Sequence, residues 1–406
     1  MLERFLHASK RIQGPLLFHI RTFAASLAED GYLEAAAKSK LWCLADLGRW
    51  MERKGLTVAN LNEPRVEAFV RRYQQVGRGD PKTLEQFRDH LRKRGVIPDR
   101  KPACDRSPLA EILGRYEKHL RSERGLVVTT ILNYQSFVRK FLVERFREGP
   151  FHFAEVKPSD ISSFVLRHGP SMSPRGAQLM TTAFRSFFRF LFQHGELKAD
   201  LAASVPTVAD WRLSTVPKYM SPKEVNRMLQ ACNRRTATGR RDYAILLLLA
   251  RLGLRAGEVV ALELDDVDWR AGEILVRGKG LCHERMPLPV EVGEAVTSYL
   301  LRDRPACQTR RVFVRMRAPR GGFNGHSGVT SIVGRALHRA QLHPAVKGAH
   351  LLRHSLATSL LRSGATMGEI GEVLRHRRPA TTEIYAKVDF EGLRSVALPW
   401  PMGGGR

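Results

Sequence analysis

The stretch HLLRHSLATSLLRSGATMGEIGEVLRHRRPATTEIYAKV, residues 350–388, carries the pattern that decides the fold of this 406-residue chain. His350 and Arg353 are three residues apart and would share one face of a helix. A second short helix would end near His376, and Thr381 and Thr382 would cap a third, which carries Tyr385. Gly364 suits the end of the first helix, whose buried side is predicted by the helical spacing of its leucines: Leu351, Leu352, Leu356, Leu360 and Leu361.

Taken one at a time, these residue types are typical of structural roles, such as a half-buried tyrosine or a histidine beside an arginine on a helix surface. Their order, H-x-x-R-H followed by L-R-H and T-T-x-x-Y, resembles the C-terminal signature of the tyrosine recombinases, the phage integrase family. The resemblance implies a mainly α fold with a small antiparallel sheet, in which a helical core-binding domain precedes the catalytic domain. One position departs from the family pattern, because Arg375 stands where the family usually has glycine.

An earlier stretch, RRDYAILLLLARLGLRAGEVVALELDDVDW, contains a second part of the pattern. Residues 242–252 are apolar nearly all round and predict a buried helix, which Gly253 would end. Arg255 then lies at the junction with the next helix, where two packed elements would fix its backbone. The segment G-L-R-x-x-E resembles the first catalytic box of the family. The resemblance makes Arg255 a phosphate-binding arginine and Glu258 its supporting carboxylate.

Two short strands are predicted on either side of the segment RGKGLCH, residues 277–283, whose glycines permit a tight hairpin. They cover residues 273–276 and 285–288, and residues 312–314 are a further candidate strand. Lys279 lies at the hairpin tip, where lysines are usually solvated. The family's catalytic lysine lies on such a hairpin, so the resemblance carries that role to Lys279.

The chemistry of phosphodiester cleavage needs these residue types. Two arginines with forked donors, Arg255 and Arg353, would bind the non-bridging oxygens on which charge develops. By resemblance, Tyr385 would attack phosphorus and form a covalent 3′-phosphotyrosyl link. His350 would serve as base or proton shuttle, since a phenol with a pKa near 10 needs help to lose its proton.

Two further roles follow from the resemblance: His376 would donate to the phosphate, and Lys279 would protonate the departing 5′-oxygen. His354, next to Arg353, is assigned to the packing of its helix. No metal or other cofactor is expected, because Cys282 and His283 have no matching ligand pair.

The charge of the chain points to nucleic acid as the partner. Lys and Arg together number 67 against 40 Asp and Glu, a net charge of +27. Such an excess disfavours a compact state unless a polyanion is the normal partner. The five cysteines form no C-x-x-C pair, and neither a signal peptide nor a membrane span is predicted. We therefore expect a cytoplasmic, nucleoid-associated protein that binds double-stranded DNA and no membrane.

Polar, proline-containing stretches divide the chain into regions: residues 1–106 would form an N-terminal helical domain and 205–221 a linker. By resemblance to the family, residues 107–204 would be the helical core-binding domain and 222–406 the catalytic domain with its tail. Apolar residues and glycines of the first region recur in a similar order in the second, which suggests a repeat. By resemblance, the enzyme would act as a tetramer on two duplexes, either as a homo-tetramer or together with related recombinases. A monomeric type IB topoisomerase-like nickase-ligase and a DNA-binding protein without catalysis are the alternatives.

Overall fold

The computed structural model describes residues 15–74, 80–98, 107–147, 150–209, 216–278, 283–388 and 393–394. These residues divide into two compact units. One unit combines residues 1–97 with 215–406, and the other is residues 98–214. Helices dominate both, in agreement with the predicted fold class.

The N-terminal part of the first unit is a helical bundle with its own core. Its helices are α1 (Leu17–Glu29), α2 (Glu34–Arg53), α3 (Glu63–Gln74) and α4 (Pro81–Lys93), with a 3₁₀ turn at Val58–Asn60. Asn62 caps α3, because its Oδ1 accepts a hydrogen bond from the backbone N–H of Arg65 at 3.2 Å. Phe69, Phe87 and Leu91 are fully buried in the core.

The second unit is a bundle of four helices with a phenylalanine-rich core. They are α5 (Pro108–Ser122), α6 (Val128–Phe146), α7 (Pro158–His168) and α8 (Pro174–Gln193). Short 3₁₀ turns lie at Phe153–Glu155, Gly169–Ser171 and Leu201–Ser204. Each of α5, α7 and α8 begins with proline, whose missing N–H costs nothing at a first helical position.

The two bundles repeat the same local order. In each, a first helix is followed by a glycine with positive φ, Gly31 at +76° and Gly125 at +59°. A long helix, a 3₁₀ turn and two further helices follow. A left-handed glycine also comes after the last helix, Gly95 at +67° and Gly195 at +73°. A residue without a Cβ adopts a positive φ without strain, so glycine suits each of these turns.

Aromatic packing repeats as well. In each bundle, one ring of the first helix contacts two rings of the last helix. In the first bundle Phe23 lies 5.4 Å from Phe87 and 5.4 Å from His90, between ring centroids. The matching centroid distances in the second bundle are 5.1 Å from Tyr116 to Phe187 and 5.3 Å from Tyr116 to Phe190.

The C-terminal part of the first unit contains the remaining helices. They are α9 (Pro222–Gln230), α10 (Ala237–Arg251), α11 (Ala256–Ala261), α12 (Val290–Arg302), α13 (Ser327–Arg339), α14 (Ala349–Arg362) and α15 (Met367–Val373). Ser221 and Glu224 form the capping box of α9, and Gly253 (φ +58°) follows α10. Because α10 packs against both α12 and α14, its residues 244–250 are buried all round.

A three-stranded antiparallel sheet lies in the same part of the chain. The strands are β1 (Val267–Asp268), β2 (Glu273–Arg277) and β3 (His283–Pro287), in the order β1-β2-β3. The expected hairpin strands are therefore confirmed. The strand expected at residues 312–314 is wrong: Val314 makes only an isolated bridge, to Gly322. The apolar run there is buried in the core as irregular backbone, since Val312, Phe313 and Val314 are all enclosed.

Candidate active site

Arg255 stands at the N-cap of α11 and is fixed there by Glu258. The backbone N–H of Arg255 donates to Glu258 Oε2 at 2.9 Å, and its guanidinium Nη1 donates to Oε1 at 2.7 Å. Burial by itself raises the pKa of Glu258, but these hydrogen bonds and the charge of Arg375 lower that pKa below its usual value. The Glu258 carboxylate is thus charged at neutral pH and fixes the orientation of the Arg255 side chain.

Arg353 lies near the start of α14 and is 3% exposed. Its guanidinium donates to the backbone carbonyls of Gly253 and Leu374. Burial, with the nearby charges of Arg255 and Arg375, lowers the pKa of Arg353 to about 10, so it stays charged at neutral pH. One side chain therefore ties the loop before α11 to the end of α15.

Tyr385 lies in a 3₁₀ segment, Glu383–Val388, and is only 1% exposed. Its hydroxyl is 2.9 Å from Nδ1 of His354, and its ring is parallel to that of His376, with centroids 6.5 Å apart. Burial raises the pKa of Tyr385 to about 12, although the charges of Arg353 and Arg255 oppose the rise. The phenol is therefore protonated at neutral pH.

Three histidines surround these groups in their neutral forms. Burial, followed by the charges of Arg353 and Arg255, lowers the pKa of His350 and lowers that of His376 to about 4. His376 Nδ1 lies 2.8 Å from the hydroxyl of Thr382, which orients its ring. Burial, with His350 and Arg353 nearby, also lowers the pKa of His354 to about 4. A neutral imidazole has one nitrogen free to accept a proton.

Arg375 joins the site from the turn after α15. Its backbone has φ of +54°, a left-handed conformation that favours glycine. Its Nη2 donates to Glu258 Oε2 at 2.8 Å, and each of the two side chains is 6% exposed. Its Nη1 contacts the sulfur of Met286 on β3. Arg375 is therefore a buried ion-pair partner of Glu258, the carboxylate that also binds Arg255.

Two clefts open on the site and share Arg255, Glu258 and Gly278 as lining residues. One, of about 630 Å³, is also lined by His350 and by basic residues: Arg277, His326 and Lys347. The other, of about 640 Å³, is lined by His376 and by further arginines: Arg375, Arg377 and Arg378. Basic side chains outnumber the acidic ones, Glu258 and Glu284, among the lining residues, and a cleft with an excess of positive charge concentrates anions, so both suit a phosphate backbone.

The structure brings six of the seven predicted site residues together: Arg255, Glu258, His350, Arg353, His376 and Tyr385. Lys279 lies outside the described residues. Sequence reasoning assigned His354 to helix packing alone, whereas its imidazole contacts the Tyr385 hydroxyl. The signal was its position one turn after His350, on the same side of α14.

Three further features of the described residues concern metals, membranes and cysteines. They contain no group of three or more His, Cys, Asp or Glu that could hold a metal ion. None of their helices is both long enough and apolar enough to cross a membrane. Cys43, Cys232 and Cys307 are free thiols, while Cys104 and Cys282 fall outside the described ranges.

Comparison with known proteins agrees with this geometry. Residues 218–391 match the phage integrase family, and residues 113–195 match its N-terminal SAM-like domain. The chain is 43% identical over 396 residues to a putative integrase/recombinase, y4rA, of Sinorhizobium fredii, which covers 97% of this chain and 96% of that protein. The chain belongs to the phage integrase family. The predicted family is therefore confirmed, and so is the enzyme class, a tyrosine-type site-specific recombinase.

A further relative and two solved structures also resemble this chain. The chain is 32% identical over 293 residues to the tyrosine recombinase XerC of Shewanella amazonensis, across 71% of this chain and 94% of that protein. The fold resembles the XerH recombinase bound to palindromic difH substrate, with a TM-score of 0.56, 16% identity, and coverage of 88% and 94%. It also resembles a lambda integrase dimer on a core site, with a TM-score of 0.52, 18% identity, and coverage of 68% and 94%.

Proposed function

We propose that this integrase cleaves and rejoins double-stranded DNA through a covalent 3′-phosphotyrosyl intermediate. The observation that carries the proposal is the grouping of two arginines, two neutral histidines and a tyrosine, of which Arg255, His350 and His376 line two clefts rich in basic side chains. Its solved structural neighbours include recombinases bound to DNA. The reaction integrates, excises or resolves mobile DNA.

Each side chain has a role in this proposal that its chemistry supports. Arg255 and Arg353 hold the non-bridging oxygens of the scissile phosphate, where negative charge develops. His350 takes the proton from the Tyr385 hydroxyl, because its imidazole is neutral at physiological pH. His376 donates to the phosphate through its Nε2, since Nδ1 is engaged by Thr382.

Glu258 keeps Arg255 in place through the backbone and side-chain hydrogen bonds of that arginine. Lys279 protonates the departing 5′-oxygen. Gly278, the residue before it in the chain, lines both clefts.

The nucleophile is tested with Tyr385→Phe, which deletes one oxygen and keeps the ring in its pocket. A nicked suicide substrate should trap the wild-type protein on DNA as a band that survives denaturing electrophoresis. The Phe variant should bind the same duplex with unchanged affinity and give no such band. A trapped Phe variant would refute the assignment of Tyr385.

A tetramer on two duplexes is the proposed working assembly, and it acts in the cytoplasm at the nucleoid, where its substrate lies. A monomeric nickase-ligase would use the same catalytic groups. Native mass measurement on DNA with two sites distinguishes the two assemblies. Four protomers per pair of duplexes support the recombinase tetramer, and one protomer per site supports the monomeric nickase-ligase. Strand exchange between two labelled duplexes gives a second readout.

We also propose the four-part division into residues 1–106, 107–204, 205–221 and 222–406. The separate hydrophobic cores of the two N-terminal bundles support the first boundary. Their shared element order and matching aromatic contacts support an internal repeat. The first bundle then acts as a second module, which binds DNA or a neighbouring protomer beside the core site.

A further inference from the structure

The Tyr385 hydroxyl lies inside the protein, away from the two clefts that Arg255 lines. Tyr385 is 1% exposed, and neither cleft has it among its lining residues. Its ring packs in an apolar cluster with Ile370, Leu374 and Val388. A phosphodiester of a duplex is too bulky to enter such a cluster, so the hydroxyl has to move before it can attack phosphorus.

One hydrogen bond holds the hydroxyl in this covered position. The Tyr385 Oη and the His354 Nδ1 are 2.9 Å apart. A protonated phenol donates, and a neutral imidazole accepts at its unprotonated nitrogen. Burial lowers the pKa of His354 to about 4, and His350 and Arg353 on the same helix add to the shift. His354 is therefore neutral at physiological pH and acts as the acceptor.

The segments on the two sides of this bond differ in rigidity. His354 lies on α14, a 14-residue helix that also carries His350 and Arg353. Tyr385 lies on a six-residue 3₁₀ segment, and short 3₁₀ segments have poorer hydrogen-bond geometry than α-helices. A shift of the tyrosine segment therefore disturbs less structure than a shift of α14.

We propose that His354 is a positioning residue that holds the Tyr385 hydroxyl in a covered resting position, and that Tyr385 attacks DNA only after this hydrogen bond breaks. The inference rests on the proposed role of Tyr385 as the nucleophile. Its consequence is that the free enzyme keeps its nucleophile from stray phosphodiesters. Binding of DNA in the clefts then supplies the free energy that releases it.

The resting position is tested first without DNA, by nitration of Tyr385 with tetranitromethane followed by peptide mass analysis. His354→Leu removes the acceptor. His354→Asn keeps one, because its Oδ1 takes the place of Nδ1. An unpaired buried hydroxyl is disfavoured by an amount that corresponds to about a tenfold change in equilibrium. Tyr385 of the Leu variant should therefore be nitrated about 10-fold faster, and the Asn variant should match the wild type.

Tyr299, fully buried in the same unit, is the internal reference. Its nitration should be equally slow in all three proteins. Equal nitration of Tyr385 in the wild type and the Leu variant would overturn the proposal. A parallel acceleration at Tyr299 would also overturn it, because the substitution would then act by loosening the whole core.

The second test uses a suicide substrate with a single binding site, so that one protomer acts alone. His354→Leu should form the covalent complex about 10-fold faster than the wild type, and His354→Asn at the wild-type rate. A fall of about 100-fold in the Leu variant would make His354 the general base and refute a holding role. If no protein forms a covalent complex, the proposed function fails, and the nitration result still decides the resting position of Tyr385.

Discussion

Replacing Arg375 by glycine sets two energetic effects of known sign against each other. The backbone of Arg375 is left-handed, with φ of +54°. A glycine there would relieve a strain of about 1–2 kcal/mol for a residue with a Cβ. The same substitution removes the guanidinium that donates to Glu258 Oε2 at 2.8 Å.

Loss of the ion pair should destabilise the protein more than relief of the backbone strain stabilises it. Each side chain of the pair is 6% exposed, and removing one partner of a buried ion pair costs about 3–5 kcal/mol. Glu258 keeps its two hydrogen bonds from Arg255, at 2.9 and 2.7 Å, so we take the lower end of that range. The expected net effect of Arg375→Gly is a decrease of about 1–2 kcal/mol in the free energy of unfolding.

Urea unfolding at pH 7 measures this difference, with the exposed Arg378→Gly as the matched control. The Arg375→Gly loss should shrink in a Glu258→Gln background, because the uncompensated charge is then absent. Arg375→Gly should also slow cleavage, since Glu258 would hold Arg255 less firmly. A variant that is more stable than the wild type, with unchanged cleavage, would mean that backbone strain dominates and that the ion pair contributes nothing.

The other expected outcomes concern salt, acid and the N-terminal bundle. The logarithm of the binding constant for a core-site duplex should fall with the logarithm of the salt concentration with a slope steeper than about −4, because two domains would contact many phosphates. A shallower slope in a fluorescence anisotropy titration would contradict binding by two domains. Burial is the main cause that lowers the pKa values of His354 and His376 to about 4 in the folded protein. Between pH 6.5 and 4 the unfolded chain therefore binds more protons than the folded protein, and the free energy of unfolding should fall as the pH drops from about 6.5 to 4. His354→Asn should flatten that fall in urea titrations, and the exposed His343→Gln should not. A protein that begins at Asp105 should keep Tyr385 cleavage of a core site but protect a shorter stretch in footprinting; identical footprints and assembly would leave residues 1–104 without a DNA-binding role.

Much of the fold follows from local signals in the sequence. The buried pattern of α10 and the two strands of the glycine hairpin each depend on neighbouring residues, and each was predicted where it lies. The strand expected at residues 312–314 failed because a short apolar run indicates burial without fixing backbone pairing. Burial and pairing are separate properties.

The site residues were predictable as a set, but their contacts were not. His354 and Tyr385 are 31 residues apart in sequence, and only the folded chain shows that their polar atoms meet. Arg375 was recognisable as a departure from the family pattern. Its partner Glu258, 117 residues away, was not, because the pair depends on how the turn after α15 packs against α11.

Arg353 has a structural role that is distinct from its proposed role in catalysis. Its guanidinium has five N–H donors and donates to the carbonyls of Gly253 and Leu374. Two buried carbonyls would lose their partner if Arg353 were replaced, and the protein would be degraded as well as inactive. A descendant that had abandoned recombination and kept only its grip on DNA would still need this arginine to stay folded. Loss of chemistry in such a lineage should therefore appear first at Tyr385, where phenylalanine fills the same space, and last at Arg353.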